Sequence, residues 1–154
     1  SQDINVENQD VSIGDSGRQK GDIYVKNGNV KIGGNAVISG SITIEYGDLN
    51  IGNSTTVEGE IILTDGEIEI GGNSQIRDDI EIESGGFEAG NSNSFEAILV
   101  KNGNIELDGN NGVKGDLEAP NGEIVIGNSN NIKGDVVAKS FEQGGNNVIS
   151  GSQP

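Results

Sequence analysis

Apolar residues return along this chain in pairs separated by one polar position, and the pairs recur at a fixed interval. Segments opening at Asp3, Asp22, Ser41, Glu60, Asp79, Ala97, Asp116 and Asp135 align with one another. They define eight units, residues 3–21, 22–40, 41–59, 60–78, 79–96, 97–115, 116–134 and 135–151; the last fits only with two deletions. One apolar column runs Ile4, Ile23, Ile42, Ile61, Ile80, Ile98, Leu117, Val136, and a second, two residues on, runs from Val6 to Ala138. A third runs from Val11 to Phe141, a fourth from Ile13 to Gln143, and a fifth opens on Gln19 and continues from Ile38 to Ile149. Alternation of period two in β-branched residues predicts half-buried strands, and the i, i+3, i+4 spacing of a helix is absent.

Glycine punctuates the unit at three places, for example at Gly28, Gly33 and Gly40, and predicts three bends joining three short strands. After the second bend an Asn or Ser recurs: Ser16, Asn35, Ser54, Asn73, Ser92, Asn110, Ser129, Asn146. In a stack of coils these side chains are expected to form a ladder, each bonding its neighbour one turn away. The fold class predicted is all-β: one single-domain β-solenoid of eight three-faced coils, right-handed by the general preference of β-crossovers. Stacking at ~4.8 Å gives a rod about 38 Å long.

Composition taken alone points the other way. Only 31% of the residues are hydrophobic and the formal charge is −16, a combination typical of disordered chains. The columns resolve the conflict, because a narrow solenoid needs only about five inward side chains per turn. The absence of His and Cys removes Ser-His-Asp and Cys-His nucleophiles, the usual zinc ligands and thiol redox chemistry. The acidity opposes nucleic acid and anionic membrane surfaces, and no apolar run is long enough for direct membrane insertion. Segments such as IGGNAV and IGNSTTV look like the hexapeptide repeats of acyltransferases and γ-class carbonic anhydrases, which depend on His. Four threonines scattered over several columns (Thr43, Thr55, Thr56, Thr64) do not make an ice-binding array. Coils without long insertions leave no cleft for a polysaccharide-cleaving enzyme. No enzyme is expected.

Three sets of residues are candidates for function. Glu69, Glu88 and Glu106 fall at one position of successive coils, with Glu67 two residues before Glu69. Such a carboxylate column serves either as a solvated face or as an oxygen-rich site for Ca²⁺, the one cofactor this sequence suggests. Tyr24, Ile62, Leu99 and Val137 share an outward column and are candidates for lateral contact between rods. At the two ends, Ile4, Val6, Val11 and Ile13 in the first coil and Val136, Ala138, Phe141 and Val148 in the last have no helix to cover them. Bare solenoid ends predict axial association by strand addition, with a second copy of the chain as partner, head to tail or head to head.

The phrase GDIYVKNGNVKIGGNAVISG, from Gly21 to Gly40, and its echo at Gly134-Asp135-Val136 resemble bactofilins, a polymer-forming cytoskeletal family. The resemblance implies a three-faced β-helix that polymerises end to end without nucleotide. The sequence departs from that pattern in a longer, Asn-richer turn, and within these residues no flexible tail or membrane-targeting segment flanks the repeats. Gly/Asn-rich solenoids of secreted surface proteins look similar. The expectation is therefore a structural, self-assembling subunit of a filament or sheath, extracellular or at the cell surface. A bactofilin-like scaffold in the cytoplasm is the alternative, and a cation-binding or adhesive surface module stands behind both.

Overall fold

The computed structural model describes residues 2–154. Among these there is no helix; every strand runs parallel to its equivalent one coil away. The register follows the sequence columns, Ile4 to Ile23, Ile23 to Ile42, Ile42 to Ile61 and on through Leu117 to Val136. The molecule is a β-solenoid of eight coils, and the interval of 18 between Asp79 and Ala97 is absorbed without loss of pairing, Ile80 facing Ile98.

The core is the stack of inward columns. Ile23, Ile42, Ile61, Ile98 and Leu117 are fully buried, and the other inward positions of coils 2–7 are nearly so. Alternate residues face outward, as the pleat requires. Coil 5 fills the common cross-section differently. Phe87 and Phe95 take positions that coils 2–4, 6 and 7 give to smaller aliphatic residues, their rings meeting edge to face at 5.6 Å and 78°. Ala89, in the fourth column, is correspondingly small.

Two of the three bends depart from expectation. The first does not break the strand in the later coils: Ile61–Ile70, Ile80–Ala89, Ile98–Leu107, Leu117–Ile126 and Val136–Gln143 are continuous, wrapping two faces of the rod. The corner glycines make this possible. Gly47 has φ +156°, and a Cβ there would lie 1.8 Å from the carbonyl oxygen of Gly28 in the preceding coil. Coils 2–7 thus turn by pressing their backbone into the space of a missing side chain.

At the second bend, the Asn/Ser column expected to form a ladder does not. All eight of its residues have left-handed φ between 57° and 66° and point into solvent. Asn tolerates this conformation better than most residues, which accounts for half of the column. The ladder is formed by the next residue along: Thr55, Ser74, Asn93, Asn111, Asn130 and Asn147 turn inward because the left-handed residue before them reverses the chain. Asn130 Oδ1 accepts the main-chain N–H of Asn111 at 2.8 Å, and Asn147 Oδ1 that of Asn130 at 2.7 Å.

Candidate functional site

The acidic candidates lie together on the second face. Glu69, Glu88 and Glu106 occupy directly adjacent register positions in coils 4, 5 and 6. Glu67 joins Glu88 and Glu106 around a shallow recess over Gly85 and Gly86, and Asp108 extends the row into a neighbouring recess over Ala89 and Gly90. The first recess opens at Gly86, which carries no side chain where the adjacent coils have Glu67 and Asn104. The pKa of the Glu88 carboxyl is raised above the ordinary carboxylate range, first by desolvation and then by the negative charges of Glu106, Glu69, Glu67 and Asp108. No lysine pairs with these carboxylates among the described ion pairs: Lys31 stands in the same column two coils before Glu69, with Asn50 between them, and Lys101 pairs with Glu81 and Glu83 on the first face. Among the described residues, no three carboxylates converge in the manner of a metal cage. The arrangement concentrates negative charge along one side of the rod.

The lateral candidates share one outward column, in which the register places Asn5, Tyr24, Thr43, Ile62, Glu81, Leu99, Glu118 and Val137 in order. Every apolar member is separated from the next by a polar one. Tyr24, Ile62 and Leu99 are half-buried among their neighbours, the Tyr24 hydroxyl donating to the Glu45 carboxylate, and only Val137 is exposed. No continuous apolar stripe results.

The axial candidates do mark the ends of the core. Ile4, Val6 and Ile13 in coil 1, and Ala138 and Phe141 in coil 8, are half-buried where their inner equivalents are closed. Val11 and Val136 are already buried, at 8% and 2% exposure. Val148 is a correction. It stands on the outward side of the third face, 58% exposed, and its neighbour Ile149 takes the inward position, paired with Ile132.

Nor are the ends bare. Gln19 stands where the next coil has Ile38, and its Nε2 donates to the Gln2 carbonyl at 2.6 Å. Gln143 stands where the preceding coil has Ile126, and its Nε2 donates to Gln153 Oε1 at 3.3 Å. Ser152 lies against the edge of coil 8 without forming a strand: the Val136 N–H donates to the Ser152 carbonyl, and the Ser152 N–H to Asp135 Oδ1, each at 2.9 Å. These bonds repeat those that Asp22 makes to Ile4 and Asp3.

One regularity escapes a 19-residue alignment. At the second bend the coils alternate between two types: Asp15-Ser16, Gly34-Asn35, Asn53-Ser54, Gly72-Asn73, Asn91-Ser92, Gly109-Asn110, Asn128-Ser129, Gly145-Asn146. The odd-coil carboxylate or amide oxygen accepts the Gly N–H of the even coil above it, from Asp15 to Gly34 at 2.9 Å through Asn128 to Gly145 at 2.7 Å. The true repeat is thus a pair of coils. The outward column that includes Tyr24 follows the same alternation, polar in odd coils and mostly apolar in even ones. Aligning the sequence at double the period would have shown it.

No family model, curated protein or solved structure matches this chain. Its function has to be read from its own geometry.

Proposed function

We propose that this protein is a structural, self-assembling rod whose solenoid ends associate axially, making it a subunit of a filament or sheath. The observation that carries this reading is the state of the terminal coils. The pairing edges of coils 1 and 8 face outward, and Ile4, Val6, Ile13, Ala138, Phe141 and Ile149 remain half-buried where an adjoining coil would close them. An open parallel edge over an apolar cross-section is completed by another strand layer of the same shape, and a second copy of this chain supplies that layer. Side-by-side bundling is opposed by the charge of −16 and by the interrupted lateral column.

Electron microscopy and sedimentation of the purified chain over a range of concentration and salt test the reading. Filaments one solenoid wide, lengthening with concentration, are expected. Discrete monomers under every condition would overturn it.

A further inference from the structure

Two glycines at the second bend have nothing beside them, among the described residues, that a side chain would strike. In coils 2–5, 7 and 8 a Cβ on the first glycine of that bend would come within 2.1–3.3 Å of the preceding coil, as at Gly33, Gly71 and Gly144. Gly14, their equivalent in coil 1, has nothing within 4 Å of that place. The second glycine of even coils faces the opposite way. A Cβ on Gly34, Gly72 or Gly109 would lie 3.2, 3.0 or 2.9 Å from the carbonyl oxygen of Asn53, Asn91 or Asn128 in the following coil. Gly145, in coil 8, meets nothing closer than 3.9 Å. Neither Gly14 nor Gly145 has a positive φ. Each keeps open a space on the side of a missing coil, one toward the preceding side and one toward the following side, at the same corner; among the inner coils only coil 6, with Asp108, carries a side chain at the Gly14 position.

The first bend carries the matching exception. Every inner coil has a corner glycine whose Cβ would strike the carbonyl of the residue below, whereas coil 1 has Gln9 there. Coil 8 is the one coil whose first corner is cut short: Ala138-Lys139-Ser140 spans what Ala119-Pro120-Asn121-Gly122-Glu123 spans in coil 7. The side chain that would not fit over an ordinary corner and the corner that has been removed are at opposite ends of the rod. Charge agrees. Lys139 directly follows Ala138 and Glu7 directly follows Val6, the coil-1 member of the same column; Lys101 and Glu83, which follow Val100 and Ile82 in the same way, lie 3.4 Å apart.

From these features, and resting on the axial-assembly reading above, we infer that the rods join head to tail, coil 8 of one copy receiving coil 1 of the next in register. The junction sets Gly145 beneath the Asp15 carbonyl, Gly14 above the Gly144 corner, Gln9 over the shortened corner and Glu7 beside Lys139. It also follows an even coil with an odd one, so the two-coil alternation continues unbroken from copy to copy. A head-to-head or tail-to-tail contact puts like coils together. On the first face, Asp3 of the incoming copy takes both bonds that Ser152 holds, its carbonyl accepting from the Val136 N–H and its own N–H donating to Asp135 Oδ1, an exchange of equivalent hydrogen bonds.

The chain has no cysteine, so cross-linking can read polarity directly. Glu7→Cys and Lys139→Cys variants, mixed and oxidised, are expected to give the mixed disulfide, same-column neighbours in parallel strands being within disulfide range. Gly14→Ala and Gly145→Ala are expected to leave the melting temperature of the dilute monomer within about 2 °C of wild type and to shorten or abolish filaments. Gly33→Ala, by contrast, lowers the melting temperature itself. Filaments that form but link only like variants, or that persist unchanged in Gly14→Ala and Gly145→Ala, would overturn the head-to-tail junction and leave axial assembly standing. Absence of any assembly would overturn both.

Discussion

The Asn111 side chain bonds twice to the coil before it: its Oδ1 accepts the main-chain N–H of Asn93 at 2.9 Å. Its Nδ2 donates to the Gly90 carbonyl at 2.9 Å. Asn130 and Asn147 repeat the arrangement, giving their amide N–H groups to Asp108 and Gly127. Asn93 makes only half of it, for its Nδ2 is buried without a partner. Removing Asn111 strands a buried N–H and a buried C=O together, so Asn111→Ala is expected to cost about 2–4 kcal/mol in chemical denaturation. Asn93→Ser discards an amide that bonds with only one of its two ends and installs the hydroxyl that Ser74 already uses at this position, bonding Gly52 at 3.1 Å. Its stability is expected to stay within about 0.5 kcal/mol of wild type or to rise.

Coil 5 tests how the cross-section is shared. Ala89→Ile adds volume beside Phe87 and is expected to destabilise by about 1–3 kcal/mol. Phe87→Ile leaves a void of the opposite sign. The double substitution restores the aliphatic pattern of the neighbouring coils and is expected to recover much of the loss, a coupling that a double-mutant cycle measures directly.

The acidic face predicts a pH dependence. The Glu88 pKa is raised in the folded rod, so the folded state holds this proton more tightly than the unfolded chain does. Its stabilising contribution is complete below the unfolded pKa and is lost as pH rises through the folded pKa. Glu88→Gln is therefore expected to melt higher than wild type at pH 7, with the gap closing as pH falls toward 4. Added salt narrows the same gap at pH 7 by screening Glu69 and Glu106. A gap that widened on acidification would contradict the assignment.

Backbone approach at the first corner makes the sharpest steric prediction. Gly47→Ala combines a left-side φ of +156° with a Cβ 1.8 Å from a carbonyl oxygen, and neither can relax without parting two coils. A loss of at least about 2 kcal/mol, or failure to fold, is expected. Gln9→Gly, at the equivalent place in coil 1, is expected to change the monomer by less than about 1 kcal/mol. Thermal melts of the two variants side by side make the comparison.

Much of this was legible before any coordinates. Column spacing defines the coil count, and alternation within each pair of columns assigns inside and outside, as at Ile61 and Leu63 around Ile62. Both follow from a pleat whose period is two whatever the fold around it. The candidate sites were less legible. Glu69, Glu88 and Glu106 were aligned by register alone, but the recess beside them depends on Gly86 leaving space between Glu67 and Asn104. The axial candidates include Val148, although the fifth column, which ends on Ile149, already gives the inward place to its neighbour.

The second bend shows where sequence determination stops. The chain alone determined a stack of eight coils with an apolar axis, because burial of a repeating column needs only composition and period. It did not determine that Asn110 would take a left-handed φ and Asn111 carry the ladder, since the two residues are chemically identical. Nor did it show that Gly14 and Gly145 guard empty space while Gly33 and Gly34 fill it. Those distinctions belong to the tertiary structure, because backbone curvature decides which of two equal side chains meets a donor, and only a neighbouring coil gives a missing Cβ something to avoid.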